Sequence, residues 1–229
     1  MKKLRYIFFS LFFISCFAHM PRYLKKNFTY CYEKKCTNID TLIHIAGYFR
    51  ESILGENDLI GKVYDVSKPD TMGFMNFILY KNGMCVFGFH NYEDSLSVLF
   101  KELQKNKNDY FYKGGPVYWG CYQIYRDTIK LQVINHPSTM SPTWMAYEEW
   151  YKIIDRNTLQ PIAYKRLDID FDDKNKTIQQ MIILNPQKHL PATFFPVKEK
   201  PESKYSWILK RKWFWCDKKQ FKEWKKKKQ

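Results

Sequence analysis

Residue types that could do chemistry cluster near the C-terminus. In the run 206–215, Trp207, Leu209, Arg211, Trp213 and Trp215 alternate with other residues, so a strand there would place them on one face. An unpaired guanidinium is costly to bury, so Arg211 is expected to reach a carboxylate, a ring face or the anionic head of a ligand. Trp119 and Tyr122 belong to a second ring-rich stretch and join Trp207, Arg211 and Trp213 as candidate cavity-lining residues. The same rings could equally fill a core, since aromatics carry much of a domain's apolar burial. Other chemistry is thinly represented. Asp168, Asp170 and Asp172 have the spacing of a calcium loop, but Asp173 stands where Gly is needed and Gln179 where a bidentate Glu is needed. They read instead as a strand edge running into a turn over 172–176. The five histidines are dispersed, with no local metal-binding pair. Neighbouring Glu148 and Glu149 fall on opposite faces of a strand and cannot flank one substrate. Neither a nucleophile elbow nor a phosphate-binding Gly motif occurs. No catalytic residue, metal or cofactor is expected.

The N-terminus carries an address. Basic Lys2, Lys3 and Arg5 precede an apolar run over 6–14. Nine helical residues rise about 13.5 Å, far short of a ~30 Å hydrocarbon core, so the run fits a signal-peptide core rather than a spanning helix. Phe13-Ile14-Ser15-Cys16 resembles the bacterial lipobox, which implies removal of 1–15 and lipidation of Cys16. Ordinary cleavage after Ala18, and an uncleaved apolar start, are the alternatives. Setting Cys16 aside leaves Cys31, Cys36, Cys85, Cys121 and Cys216. Cys31 and Cys36 lie in one polar stretch and could close a small disulfide loop in an oxidising compartment, while Cys85 and Cys121 sit in apolar runs as buried thiols.

Charge is concentrated at the other end. The 229 residues hold 38 Lys+Arg against 23 Asp+Glu, a net +15, and 210–229 alone contribute +8. Lys218, Lys219, Lys222, Lys225, Lys226, Lys227 and Lys228 crowd this tail, with Asp217 and Gln220 spaced as a capping box and Phe221 and Trp224 at i, i+3. A short basic helix there would suit an anionic lipid surface or an acidic envelope polymer. A frayed solvated tail is the plain alternative. Nucleic acid is a poor partner for an exported chain whose basicity is confined to its end.

The elements that must position these residues are mostly strands. Lys81-Asn82-Gly83 separates apolar runs 74–80 and 84–89 as a hairpin turn. Arg126-Asp127 separates 121–125 from 128–134, where Ile129, Leu131 and Val133 alternate with Lys130 and Gln132. A third turn at 155–158 joins 149–154 to 159–165, and further strands are predicted over 41–50, 178–184 and 205–215. The segment 94–105 has helical spacing at Leu96, Leu99, Phe100 and Leu103. Many hairpins with one helix argue for an antiparallel barrel or sandwich.

Several pieces resemble small lipocalin-like lipoproteins of Bacteroidota-type bacteria: His44 to Phe49, Phe77 to Gly83, Trp119 to Gln132, Tyr151 to Leu159, Val197 to Pro201 and Trp207 to Trp215. The resemblance spans roughly residues 40–215 and implies a cup-like, calycin-like antiparallel β-barrel on a lipid anchor, with no catalytic residues. The expected organisation is a signal peptide over 1–15, a linker over 17–40, a mainly β barrel domain over 41–216 and a basic tail over 217–229. The expected role is a non-enzymatic, lipid-anchored protein of the bacterial envelope whose barrel takes a small apolar or amphipathic molecule. The alternative is an interaction lipoprotein with a packed barrel, binding through its surface and basic tail.

Overall fold

The computed structural model describes residues 20–34, 37–53, 73–90, 111–112, 115–137, 143–168, 181–184 and 189–227. The signal segment with Cys16, the expected helix over 94–105, the turn over 172–176, Cys36 and Lys228 lie outside the described residues. Among the described residues there are ten strands: β1 (Gly47–Ile53), β2 (Gly73–Leu79), β3 (Met84–His90), β4 (Phe111–Tyr112), β5 (Gly115–Tyr125), β6 (Thr128–Asn135), β7 (Ala146–Asp155), β8 (Thr158–Arg166), β9 (Ile182–Ile183) and β10 (Ala192–Pro196). These strands pair antiparallel throughout. The order β1-β2-β3-β5-β6-β7-β8 closes through β10, which pairs both β1 and β8, giving an eight-stranded barrel flanked by β4 and β9. Among the described residues, three α-helices, α1 (Arg22–Asn27), α2 (Ile39–Leu42) and α3 (Lys218–Lys226), accompany it.

Turn chemistry builds the hairpins as the sequence indicates. Gly83 adopts φ 85°, which the Asn-Gly turn requires and only Gly reaches without strain, and Asn82 Oδ1 accepts the Met84 amide at 3.2 Å. Alternation then sorts side chains onto two faces. Phe49, Phe77, Phe87, Ile129, Leu131, Val133, Tyr147 and Tyr151 fill the interior. Rings interlock there, with Phe77 stacked on Phe87 at 4.9 Å and on Phe49 at 5.5 Å. One barrel end is plugged by Ile39 and Ile43, both fully buried. Lys81 holds α2 in place through Asp40 at 2.7 Å, and Arg156 donates to the Asp40 carbonyl. The predicted strand over 41–50 therefore begins only at Gly47, because the i, i+4 spacing of Ile39 and Ile43 serves a helical plug.

The outer face of the sheet is equally apolar. Tyr48, Ile78, Tyr80, Met84, Val86, Val117, Trp119 and Ile134 point outward and need a second layer. Two chain ends supply it. Residues 20–32, expected as part of a linker, form a strap that buries Met20, Leu24, Phe28 and Tyr32. Residues 203–215, expected as a strand, form three 3-10 turns: Ser203–Tyr205, Trp207–Lys210 and Lys212–Phe214. The barrel closes through β10 and not through this segment, which joins no strand of the sheet. Trp207, Ile208 and Leu209 are buried in succession, which a strand's alternation forbids and a tight turn allows. The two chain ends meet where the Tyr32 amide donates to the Phe214 carbonyl and the Cys216 amide donates to the Tyr32 carbonyl. That pairing brings Cys31 beside Cys216, and these two form the disulfide, with Cα atoms 5.0 Å apart. The expected Cys31–Cys36 loop is thus corrected, since backbone pairing between the chain termini aligns a partner 185 residues away. Cys85 and Cys121 are buried free thiols, as expected.

Gly120 marks the tightest approach between β5 and β6. A Cβ built there would lie 1.8 Å from the Gln132 carbonyl oxygen. Gly120→Ala must push the two strands apart, and the expected loss is about 1–3 kcal/mol of stability, read as a lower urea midpoint.

Candidate functional site

The strap, the 3-10 segment and α3 border an open pocket of about 590 Å³ on the outside of the barrel. Among the described residues, five cationic side chains line it, Lys25, Lys210, Arg211, Lys212 and Lys218, and no carboxylate does. Its apolar wall is Met20 with the rings of Trp144, Trp213 and Trp215. Each piece has a local cause. Lys25 lies in the last turn of α1, whose buried Leu24 turns the lysine outward. Trp213 is held edge-on to Phe28 of the strap at 5.5 Å, and Trp215 donates its indole N–H to the Leu209 carbonyl at 2.9 Å. The strap itself is locked by Gln132, which is fully buried on the outer face of β6. Its carbonyl oxygen accepts from both the Thr29 and Tyr30 amides, and its amide group donates to Glu148 and Thr29.

Arg211 is fixed at the pocket wall by a neighbour the sequence reading missed. Its Nη2 lies 3.0 Å from His136 Nε2, and its Cζ sits 5.7 Å from the Trp207 ring centroid. His136 Nδ1 is 2.8 Å from the Pro137 carbonyl oxygen, which can only accept. Nδ1 therefore carries the proton, leaving Nε2 to accept from Arg211. Burial, with a smaller push from the Arg211 charge, holds the imidazole below its usual pKa, so it is neutral at pH 7.

The five candidate lining residues do not converge inside the barrel. Trp119 and Trp207 are buried in the outer layer, and Arg211 and Trp213 line the outer pocket. Of the five, Tyr122 alone faces the interior, where its hydroxyl donates to the Tyr80 carbonyl at 2.7 Å and lies 2.7 Å from Thr37 Oγ1 at the plugged end. The reason is parity. Position 119 in β5 is odd relative to interior residues Tyr118 and Tyr122, and the residues after 205 never enter the sheet. Tyr122 also edges a second cavity, of about 820 Å³, beside the disulfide, whose described lining includes Glu33 and no cation.

The basic tail is a docked helix. Asp217 caps α3 by accepting the Lys219 amide at 2.7 Å, while Gln220 reaches the Lys34 amide rather than completing a capping box. Phe221 and Trp224 stack on each other and pack against Trp215, at 6.0 and 5.8 Å. Lys218 lines the pocket, and Lys219, Lys222, Lys225, Lys226 and Lys227 are exposed around it.

The interior holds a polar group that no motif announced. The Tyr151 hydroxyl lies 2.9 Å from Glu51 and 2.8 Å from Glu149. A phenol has one proton to donate, so one carboxyl must itself be protonated and donate to the tyrosine oxygen. Burial, then the neighbouring Glu149 charge, pushes the Glu51 carboxyl up to about 8, and burial pushes Glu149 up to about 7; the Tyr151 hydrogen bond opposes both shifts. Glu148 faces the opposite way, toward Gln132 and Trp150, as strand alternation predicts. The i, i+2 spacing of Glu149 and Tyr151 was the available signal; Glu51 had none. No known protein family, curated protein or solved structure matches the chain.

Proposed function

We propose that this is an exported, lipid-anchored, non-enzymatic binding protein that holds a small amphipathic molecule with an anionic head in the pocket on the outer wall of its barrel. The observation that carries this reading is the union of five cations and three tryptophans around one cavity of a size suited to a small ligand. An apolar body would lie on Trp144, Trp213 and Trp215, and its head would meet Arg211 and the lysines. The Cys31–Cys216 bridge supports export, since such bonds persist in oxidising compartments. The residues around Cys16 support the anchor. Tryptophan fluorescence titrated with dodecyl phosphate, and separately with dodecyltrimethylammonium, tests the reading. Saturable binding of the phosphate alone is expected, weakened roughly tenfold in Trp213→Ala. Equal response to both amphiphiles, or an unaltered variant, would discard it.

A second reading, an envelope interaction protein with a packed barrel, is favoured by the interlocked rings of Phe49, Phe77 and Phe87 and by the exposed lysines of α3. Such a protein would pull down an acidic envelope polymer through α3 and bind dodecyl phosphate no better than the cationic amphiphile.

A further inference from the structure

We infer that the pocket-bearing side is the face this protein lays on an anionic phospholipid bilayer, the one that carries its anchor, with lipid phosphate as the group met by the pocket cations. The inference rests on the reading of Cys16 as the anchor and of the pocket as an anion site, and it adds which surface faces the membrane.

The path of the chain is the first argument. Met20, the first described residue, lies in the wall of the pocket. Cys16 precedes it by four residues, and four residues reach at most about 14 Å. A lipid on Cys16 therefore tethers the pocket rim to the bilayer surface, within roughly two Debye lengths at physiological salt. A side of the molecule far from Met20 would be held away from it.

Charge is the second argument. Lys25, Lys210, Arg211, Lys212 and Lys218 bring five positive charges to the rim. From Lys218, helical spacing i, i+4, i+7 continues the same sign along α3 through Lys222 and Lys225. Among its described lining residues the cavity at the plugged end carries Glu33 and no cation, so the concentration of described cations belongs to the pocket side.

The mode of attachment also follows. Phe221 and Trp224 are occupied against Trp215, so α3 has no apolar stripe left to insert. Docking is by cations on lipid headgroups, with the tryptophans at the pocket wall placed at the interfacial depth that indole rings favour. Such contact is salt-sensitive, and each cation contributes roughly fivefold in affinity for an anionic surface.

The test uses the full chain, produced in a lipidating bacterium and reconstituted on vesicles of phosphatidylcholine alone or with one part in three phosphatidylglycerol. Lysines are acetylated on each and mapped by mass spectrometry. Lys25, Lys212, Lys218 and Lys222 should react at least fivefold more slowly on the anionic vesicles, with the difference lost in 0.5 M salt, whereas Lys81 and Lys152 should react alike on both. Lys212→Glu with Lys218→Glu should abolish the protection of Lys25 and Lys222 while leaving the circular dichroism spectrum unchanged. Equal reactivity on the two vesicles would overturn the membrane face. If dodecyl phosphate still binds in that case, the pocket reading survives it. Failure to sediment with phosphatidylcholine vesicles would instead remove the anchor, and the inference with it.

Discussion

Cys31→Ser combined with Cys216→Ser is expected to lower stability by about 2–5 kcal/mol. The bridge closes a loop of 185 residues, near the whole length of the folded chain, so it withdraws much conformational freedom from the unfolded state. It also joins the two ends that together cover the outer face of the barrel. Once it is cut, the strap is held by Gln132 and by the hydrogen bonds between Tyr32 and its neighbours Phe214 and Cys216. Both cysteines are exposed, so dithiothreitol should reproduce the effect in the unmodified protein. Urea unfolding of the wild type, the reduced wild type and the double variant checks this, and the last two curves should superimpose. Cys36→Ser should leave the midpoint where it is. A loss on changing Cys36 would mean that the short loop forms instead.

The second large effect is a fall in stability as pH rises. Glu51 and Glu149 hold their protons more tightly in the folded protein than in the unfolded chain, where a glutamate titrates near its ordinary 4.5. Below that value both states are protonated and these groups give no slope. Between about 4.5 and the folded values of about 7 and 8, the folded protein binds more protons than the unfolded chain, so each of the two groups removes on the order of 1 kcal/mol per rising pH unit until its folded value is passed. The loss is complete only about one unit above the Glu51 value of about 8. Glu51→Gln keeps an amide donor for Tyr151 but has no proton to release, so its slope between pH 7 and 8 should largely vanish. Tyr151→Phe should carry the decline to higher pH by removing the hydroxyl that opposes both upward shifts. Urea midpoints from pH 4 to 9 read these outcomes. A flat wild-type profile would show that Glu51 and Glu149 are not both inside a dry barrel.

How much of this was legible in the sequence follows the range of the interactions. The Asn82-Gly83 turn, the hairpin at Arg126-Asp127, the interior set Ile129, Leu131 and Val133, and the helix begun by Asp217 were all readable, because each depends on φ restriction, period-two alternation or a cap within a few residues. The antiparallel barrel follows from their repetition. The candidate site was less readable. The identities of Arg211, Trp213 and Lys218 were picked out, but their place on the outer wall was not. In β2, β3 and β5 both faces are apolar, so Ile78, Val86 and Trp119 looked as inward as Phe77 and Phe87. Alternation assigns two faces without saying which one closes on itself.

What the sequence alone determined is therefore the local geometry: where strands turn, which residues share a face, and where positive charge is concentrated. Tertiary structure decided the rest. The sheet closes through β10 and not through 203–215, which forms 3-10 turns over the outer layer. Packing of the chain ends chose Cys216 over a nearer partner for Cys31, gathered Lys25 with Arg211, and folding around the barrel brought Glu51 to Tyr151 across 100 residues. The physical reason is that such contacts are set by which surfaces remain unburied once the barrel has formed, and no local period records that.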